Sequence, residues 1–243
     1  HHFSVTLNCY ARRQPGVRPA HRIHVPDRPF RADVQTSRKG SIAAMYDLVL
    51  TLHDIALLIA AGAALALAAH LGYSLKRPDL GLWPASEGWR HHLAFGLFRI
   101  FCGATVVFAL AEIGVNGWGH WLRYVVGLPV MVVAFGITLW GYRFLGLDNT
   151  YCDSGGLVTG GMYEYSRNPQ YVTSVLATIG LGITTGSWLT VALALVLFAL
   201  YFLFVLNEER WLMKGYGQAF ADYMRSTPRF VDERSLERLR AAL

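Results

Sequence analysis

The most informative stretch of the sequence runs from Gly160 to Tyr171 and contains Arg167 directly before the pair Asn168-Pro169. Asn is favoured just before a helix and Pro is favoured at its first position, so this pair predicts a helix start. The free backbone N–H groups of a helix start attract anions, and Arg167 strengthens that attraction. The stretch therefore predicts an anion site, although a capped helix beside an interfacial arginine has the same pattern.

Two adjacent carboxylates, Glu208 and Glu209, lie at the end of the last long apolar segment. Carboxylates oppose the helix dipole at a helix C-terminus, and ionisable groups at the edge of a membrane span are candidates for function. The alternative is simple pairing with a nearby cation: Arg210, Lys214 or Arg225. Consecutive helical residues point about 100° apart, so we expect one carboxylate to face a ligand and the other to orient Arg210 or the tail.

The apolar stretch from Tyr171 to Asn207 must bring these two groups together. As one helix it would be about 55 Å long, which exceeds the thickness of a bilayer. A polar, turn-like patch at Thr184–Ser187 divides it, so we predict a helical hairpin whose first helix is short. The hairpin places the anion site beside the cation site, and this pair suits a zwitterion with a carboxylate and an ammonium or sulfonium group.

The composition indicates the environment of these elements. The chain is 53% hydrophobic and only 16% charged, against about 25% charged residues in an average soluble domain. Three further segments are long enough to span a membrane: Tyr46–Leu71, Leu93–Val115 and Trp121–Leu145. We predict an all-α, polytopic integral membrane protein of about five transmembrane helices, with a C-terminal hairpin and an interfacial amphipathic helix at Gln218–Arg225.

The charge is concentrated in an N-terminal tail. Residues 1–44 contain eight Lys or Arg and two Asp, whereas residues 45–243 contain fourteen charges of each sign, so a nucleic-acid partner is not expected. We predict three regions: a basic, Arg/Pro-rich tail at 1–44 that is disordered or not native, transmembrane helices 1–3 at 45–145, and a ligand-binding hairpin with a cytosolic tail at 146–243. Docking of the tail on anionic lipid is the alternative.

The distribution of Lys and Arg among the loops predicts the orientation. These residues lie in or beside the 72–92 and 146–168 loops and in the C-terminal tail, which the positive-inside rule places in the cytoplasm. Five spans then put Met45 outside, where a short basic segment contradicts the rule. We therefore expect the working protein to start at or near Met45.

The order of these motifs resembles the isoprenylcysteine carboxyl methyltransferase and phospholipid methyltransferase superfamily. The shared pattern is G-x-Y-x-x-x-R-x-P-x-Y, a hairpin, E-E-x-x-L, then Y-G-x-x-F-x-x-Y and P-R-F, over roughly Leu157–Val231. Its members are small polytopic enzymes that bind S-adenosylmethionine at the cytosolic side of the last spans. One departure is Asn168, which stands where family members usually have His; Asn can still cap the helix and hydrogen-bond a cofactor.

The resemblance implies S-adenosylmethionine-dependent methyl transfer to a hydrophobic or lipid-like acceptor at the cytosolic face of a bacterial-type inner membrane. It implies a catalytic role for Glu209 and Arg229, a closing segment that contains Tyr216, Gly217, Tyr223, Pro228 and Arg229, and a set of cofactor-binding residues: Tyr163, Arg167, Asn168, Pro169, Tyr171, Glu208 and Glu209. No metal site is expected. A small-thiol S-methyltransferase of the same fold and a non-enzymatic transporter or accessory subunit are the alternatives, and the acceptor atom and oligomeric state stay open.

Overall fold

The structure is a computed structural model that describes residues 30–84, 88–116, 121–145 and 156–242, with the side chains of 30–39 and 242 excepted. The first 29 residues of the predicted tail and residues 146–155 of the predicted cytosolic loop lie outside this part of the chain. The residues from Ile42 onward form one compact unit.

The described residues form an all-helical fold, as the sequence predicts. Two short 3-10 turns, at Pro78–Leu80 and Gly161–Glu164, precede α2 and α4. The α-helices in chain order are α1 (Phe30–Lys76), α2 (Trp89–Asn116), α3 (Trp121–Leu145), α4 (Pro169–Thr185), α5 (Trp188–Tyr216), α6 (Gln218–Ser226) and α7 (Glu233–Ala242).

Four of these helices are long and apolar enough to cross a membrane: α1 from Gly40 onward, α2, α3 and α5. The chain is therefore a polytopic membrane protein. The fourth of the five predicted helices, α4, has 17 residues and is about 25 Å long, which is shorter than the hydrocarbon core of a bilayer. The structure thus contains four full-length candidate spans and one shorter helix that packs against α2, α3 and α5.

Helix α1 begins earlier than the sequence analysis placed it. It starts at Phe30, so residues 30–44 are helical although they were assigned to the tail. Extending an existing helix is much easier than nucleating a new one, and this stretch contains good helix formers such as Arg, Ala, Gln and Lys.

The predicted hairpin turn is confirmed between α4 and α5. Gly186 ends α4 in the left-handed region, with φ at 69°. The Ser187 hydroxyl then caps α5 by accepting a hydrogen bond from the backbone N–H of Thr190 at 3.1 Å. The two helices therefore run antiparallel and return the chain to the side from which α4 began.

Two glycines let α3 and α4 approach to backbone contact. A Cβ atom at Gly180 would lie 2.5 Å from the backbone N of Met131, and one at Gly127 would lie 2.5 Å from that of Thr184. Small residues at such an interface allow close packing in place of interdigitated side chains. This contact fixes α4, and thus the residues at its start, against α3.

Gly180→Ala is expected to destabilise the protein, because the added Cβ would force α3 and α4 apart. We expect a loss of about 1–3 kcal/mol, typical of an overpacked interface, measured as a lower melting temperature in detergent. Gly136→Ala is the matched control on α3, since nothing lies within 4 Å of a Cβ at that position. Equal melting temperatures for the two variants would contradict the close approach.

Candidate functional site

A cavity of about 180 Å³ lies where α4 begins and α5 ends, and it opens to solvent. Its wall is mostly apolar and aromatic and is contributed by α2 to α6 and by the loops that precede α2 and α4. Six of the predicted site residues line it: Tyr163, Arg167, Asn168, Tyr171, Glu208 and Glu209. Pro169 is buried at the first position of α4. Arg229 does not line the cavity, but it contacts Glu209, which does.

The helix start at Asn168-Pro169 is confirmed, but the side chain of Asn168 does not cap α4. Instead, its Nδ2 donates a hydrogen bond to the backbone carbonyl of Arg229 at 2.9 Å. The backbone N–H of Arg167 likewise donates to the carbonyl of Pro228 at 2.9 Å. The start of α4 is therefore tied to the segment that follows α6.

Glu209 is the centre of an ion-pair network. Its Oε1 accepts hydrogen bonds from Arg167 Nη2 at 2.7 Å and Arg229 Nε at 3.0 Å, and its Oε2 accepts one from Arg229 Nη2 at 2.7 Å. The side chains of Arg167 and Glu209 are only 10% and 14% exposed, so these charges are poorly screened by water. Charge-assisted and bidentate bonds of this kind are among the stronger ones in proteins.

The two arginines have opposite pKa shifts. Burial lowers the pKa of Arg167, against the attraction of Glu209, whereas the hydrogen bond to Glu209 raises the pKa of Arg229. Both guanidinium groups remain charged at neutral pH, because the ordinary pKa of an arginine lies far above neutrality. Two positive charges on one carboxylate leave this group of three with a net charge of +1.

Glu208 has a different environment. Its Oε1 accepts hydrogen bonds from the Tyr171 hydroxyl at 3.0 Å and from Trp83 Nε1 at 3.4 Å. Within the described residues it has no ion pair with Lys, Arg or His. Glu208 therefore lies on the cavity wall with neutral donors but without a cation to balance its charge.

Neither Glu208 nor Glu209 forms the simple ion pair with Arg210 or Arg225 that was the alternative interpretation. Arg210 donates to the backbone carbonyl of Leu75 at 2.6 Å, and Arg225 pairs with Asp222 at 2.9 Å. One carboxylate was expected to orient either Arg210 or the tail. In the structure it is the tail, because Glu209 binds Arg229.

Tyr163 connects the loop before α4 to α4 itself. Its hydroxyl donates to Gln170 Oε1 at 2.6 Å, and its carbonyl accepts a hydrogen bond from the Tyr223 hydroxyl at 2.7 Å. Burial raises the pKa of both phenols, so they stay protonated and act as donors. Gln170 is 5% exposed and lines the cavity, and its Nε2 has no hydrogen-bond partner among the described residues.

The segment after α5 closes against the start of α4. Gly217, with φ at 50°, turns the chain from α5 into the predicted amphipathic helix α6, whose Phe220 and Tyr223 are 2% and 8% exposed. Helix α7, which the sequence analysis did not predict, holds this segment in place. Ser235 Oγ donates to the Tyr165 carbonyl at 2.6 Å, and Arg238 donates to the Glu164 carbonyl.

Trp83 and Gln170 are among the residues of the cavity wall that sequence reasoning missed. Gln170 lies within the motif, and its position directly after Pro169 in the first turn of α4 was the available signal. Trp83 lies in the loop between α1 and α2, far from the motif in sequence, and no local pattern connects it to Glu208.

Comparison with known proteins shows the family of the chain. Residues 122–219 match the phospholipid methyltransferase family. The chain is 31% identical over 162 residues to the cobalt-zinc-cadmium resistance protein CzcN of Cupriavidus metallidurans, an alignment that covers 65% of this chain and 72% of CzcN. The chain belongs to the phospholipid methyltransferase family. The matched region of this family extends from α3 to the start of α6 and includes Arg167, Glu208 and Glu209, but not Trp83 or Arg229.

A second relative is also named as a metal-resistance protein. The nickel-cobalt-cadmium resistance protein NccN of Alcaligenes xylosoxydans xylosoxydans is 30% identical over 152 residues, which cover 61% of this chain and 68% of NccN. No solved structure matches the chain at a significant level.

Glu209→Gln is expected to release the segment after α6, because Arg167 and Arg229 lose the carboxylate that holds both. Loss of these partly buried ion pairs should make trypsin cleavage after Arg229 about tenfold faster, measured by mass spectrometry of the released fragment. Asp222→Asn is the matched control, since its pair with Arg225 is 59% and 74% exposed and contributes little. Unchanged cleavage of the Glu209 variant would show that the ion pairs do not hold this segment.

Proposed function

We propose that the chain transfers a methyl group from S-adenosylmethionine to a hydrophobic or lipid-like acceptor at the cytosolic face of the membrane. One observation carries the proposal: one cavity is lined by Glu208, which has no ion pair among the described residues, and by Arg167 and Glu209, whose group of three with Arg229 has a net charge of +1. This arrangement complements a zwitterion. Membership of the phospholipid methyltransferase family, whose members typically use S-adenosylmethionine, supports methyl transfer as the reaction.

The residues present fit this cofactor on two counts. Glu208 can balance a positive charge without losing an ion pair, and Gln170 has a buried, unused amide group on the cavity wall. We assign the carboxylate of the cofactor to Arg167 and the start of α4, and its positive charge to Glu208. When bound, S-adenosylmethionine supplies an activated methyl group, and the protein contributes binding and orientation.

Glu209 and Arg229 are proposed as positioning residues rather than catalytic ones. Their polar atoms bind each other, and Arg229 is not on the described part of the cavity wall. Glu209 holds Arg167 in place at the start of α4, while Arg229 and Asn168 hold the segment after α6 against it. This closure keeps water away from the ion pairs and so strengthens them.

The acceptor is expected to approach through the apolar part of the cavity. Phe95 and Phe98 of α2 and Tyr142 and Leu145 of α3 contribute to its wall, and both helices are candidate membrane spans. We infer from the positive-inside rule that this end of the bundle is on the cytosolic side. A small apolar thiol would fit the same wall, so the acceptor must be identified by experiment.

The activity is tested with the purified chain of 243 residues, methyl-labelled S-adenosylmethionine and a membrane lipid extract. Because the two relatives are named for resistance to metals, extracts are prepared from cells grown with and without cadmium. We expect label in the lipid-soluble fraction. A protein that binds the cofactor in neither detergent nor lipid vesicles would refute the proposal and favour a non-enzymatic membrane protein.

Glu208→Gln is expected to weaken binding of S-adenosylmethionine about tenfold to hundredfold, because a charged hydrogen-bonded partner is lost while the shape of the side chain is kept. The dissociation constant is measured by isothermal titration calorimetry. Glu237→Gln, at an exposed position of α7, is the matched control and should bind like the wild type. The assignment of Glu208 is wrong if both variants bind equally well.

Arg167→Ala is expected to weaken S-adenosylmethionine far more than its decarboxylated analogue, because only the former has the carboxylate that Arg167 and the helix start would bind. Both dissociation constants are measured on the same preparation, so a general loss of structure affects them alike. Equal losses for the two ligands would make Arg167 a structural residue that acts through Glu209.

A further inference from the structure

The end of the cavity at Glu208 is surrounded by aromatic rings from three separate elements. Trp83 comes from the α1–α2 loop, Phe95 from α2 and Phe204 from α5, and all three line the cavity. The ring of Trp83 meets those of Phe95 and Phe204 edge to face, with centroids 5.1 Å and 5.0 Å apart. The three rings thus form one connected aromatic wall.

The carboxylate of Glu208 belongs to the same wall. Trp83 Nε1 donates to Glu208 Oε1 at 3.4 Å, and the hydroxyl of Tyr171 donates to the same oxygen at 3.0 Å. The ring of Tyr171 stacks on that of Tyr201, with centroids 4.1 Å apart, and both of these rings also line the cavity. A carboxyl group and several aromatic rings therefore lie together at one end of the site.

Aromatic rings beside a carboxylate favour one class of ligand, a cation that carries no N–H groups. Aromatic rings attract cations through their quadrupoles, most strongly when the cation is desolvated, and cages of this kind recognise methylated onium groups. A sulfonium or a quaternary ammonium group has no N–H to donate, so it does not need the ring of hydrogen-bond acceptors that an ordinary ammonium requires. Glu208 supplies the opposite charge and has no ion pair with any described Lys, Arg or His.

We propose that Trp83, Phe204 and Glu208 form an onium subsite, in which Trp83 determines specificity for a sulfonium or quaternary ammonium group. Phe95 supports the ring of Trp83, since the guanidinium of Arg99 already lies over the Phe95 ring, 5.8 Å from its centroid. The subsite deepens the proposed function, on which the identity of the ligand rests. Two sources supply the same chemistry: the sulfonium of S-adenosylmethionine and an alkylated ammonium on the acceptor or its product.

Trp83 is the key residue because it connects the parts of the subsite. Its ring contacts both phenylalanines, its N–H contacts the carboxylate, and it is only 6% exposed. The Ser74 hydroxyl donates to its backbone carbonyl at 3.2 Å and so fixes the loop to the end of α1. Trp83 also lies outside the residues 122–219 that match the family, so the α1–α2 loop adds a specificity element to the shared site.

The first arm of the test compares S-adenosylmethionine with S-adenosylhomocysteine, which has a neutral thioether in place of the sulfonium. Binding is measured by calorimetry with full-length protein in a non-ionic maltoside, since detergents with a quaternary ammonium would compete. Trp83→Leu should weaken S-adenosylmethionine about threefold to thirtyfold, as expected for the loss of one ring beside a desolvated cation, and leave S-adenosylhomocysteine within about twofold. Trp83→Phe, which keeps a smaller ring, should lose less.

The second arm uses choline and its neutral isostere 3,3-dimethylbutan-1-ol, which have the same shape but differ in charge. The wild type should bind choline and not the alcohol, and Trp83→Leu should abolish the difference. Trp188→Leu is the matched control, because Trp188 is 86% exposed at the far end of α5. Since choline needs neither cofactor nor turnover, this arm does not depend on the proposed activity.

The outcomes distinguish a sulfonium ligand from an ammonium ligand, and they test the onium subsite separately from the proposed methyl transfer. A loss confined to S-adenosylmethionine assigns the subsite to the sulfonium, and a loss confined to choline assigns it to an ammonium. Choline binding that depends on Trp83, in a wild type that binds no S-adenosylmethionine, keeps the subsite and refutes the proposed methyl transfer. Equal losses of S-adenosylmethionine and S-adenosylhomocysteine, together with no preference for choline over the alcohol, would overturn the onium subsite.

Discussion

The shared use of Glu209 by Arg167 and Arg229 is the interaction on which the rest of the site depends. It joins three parts of the chain that are distant in sequence: the start of α4, the end of α5 and the segment after α6. Because one carboxylate serves two cations, the group keeps a positive charge that is available to an anionic ligand. The same division of partners leaves Glu208 without a cation, so the two adjacent carboxylates have opposite electrostatic roles.

The helices have to satisfy a geometric constraint before this network can form. Helix α4 is short, and the glycine contacts with α3 hold it deep in the bundle, so its first turn lies beside the last turns of α5. The longer helices around it then form the walls of a cavity above its N-terminus. A full-length fourth span would fill this space with side chains, so the short length of α4 leaves room for the cavity.

Much of this arrangement could be predicted from local sequence. Asn168-Pro169 marks the start of α4, the Thr184–Ser187 patch marks the hairpin turn, and six motif residues do lie around one cavity. The distinct environments of Glu208 and Glu209 could not be predicted, because they depend on which distant side chains reach each carboxylate. The contacts of Trp83 and of the segment after α6 are long-range features of the same kind. The capping prediction for Asn168 was wrong because its side chain binds the Arg229 carbonyl instead.

The central claim is that one cavity binds S-adenosylmethionine between Glu208 and the Glu209 network. Ultraviolet cross-linking of methyl-labelled S-adenosylmethionine to the purified protein, followed by peptide mapping, tests this claim most directly. We expect label in the peptides that contain Leu157–Tyr171 and Tyr201–Leu212, and loss of that label when S-adenosylhomocysteine is added in excess. Label in the outer halves of α1 to α3, or label that S-adenosylhomocysteine does not displace, would contradict it.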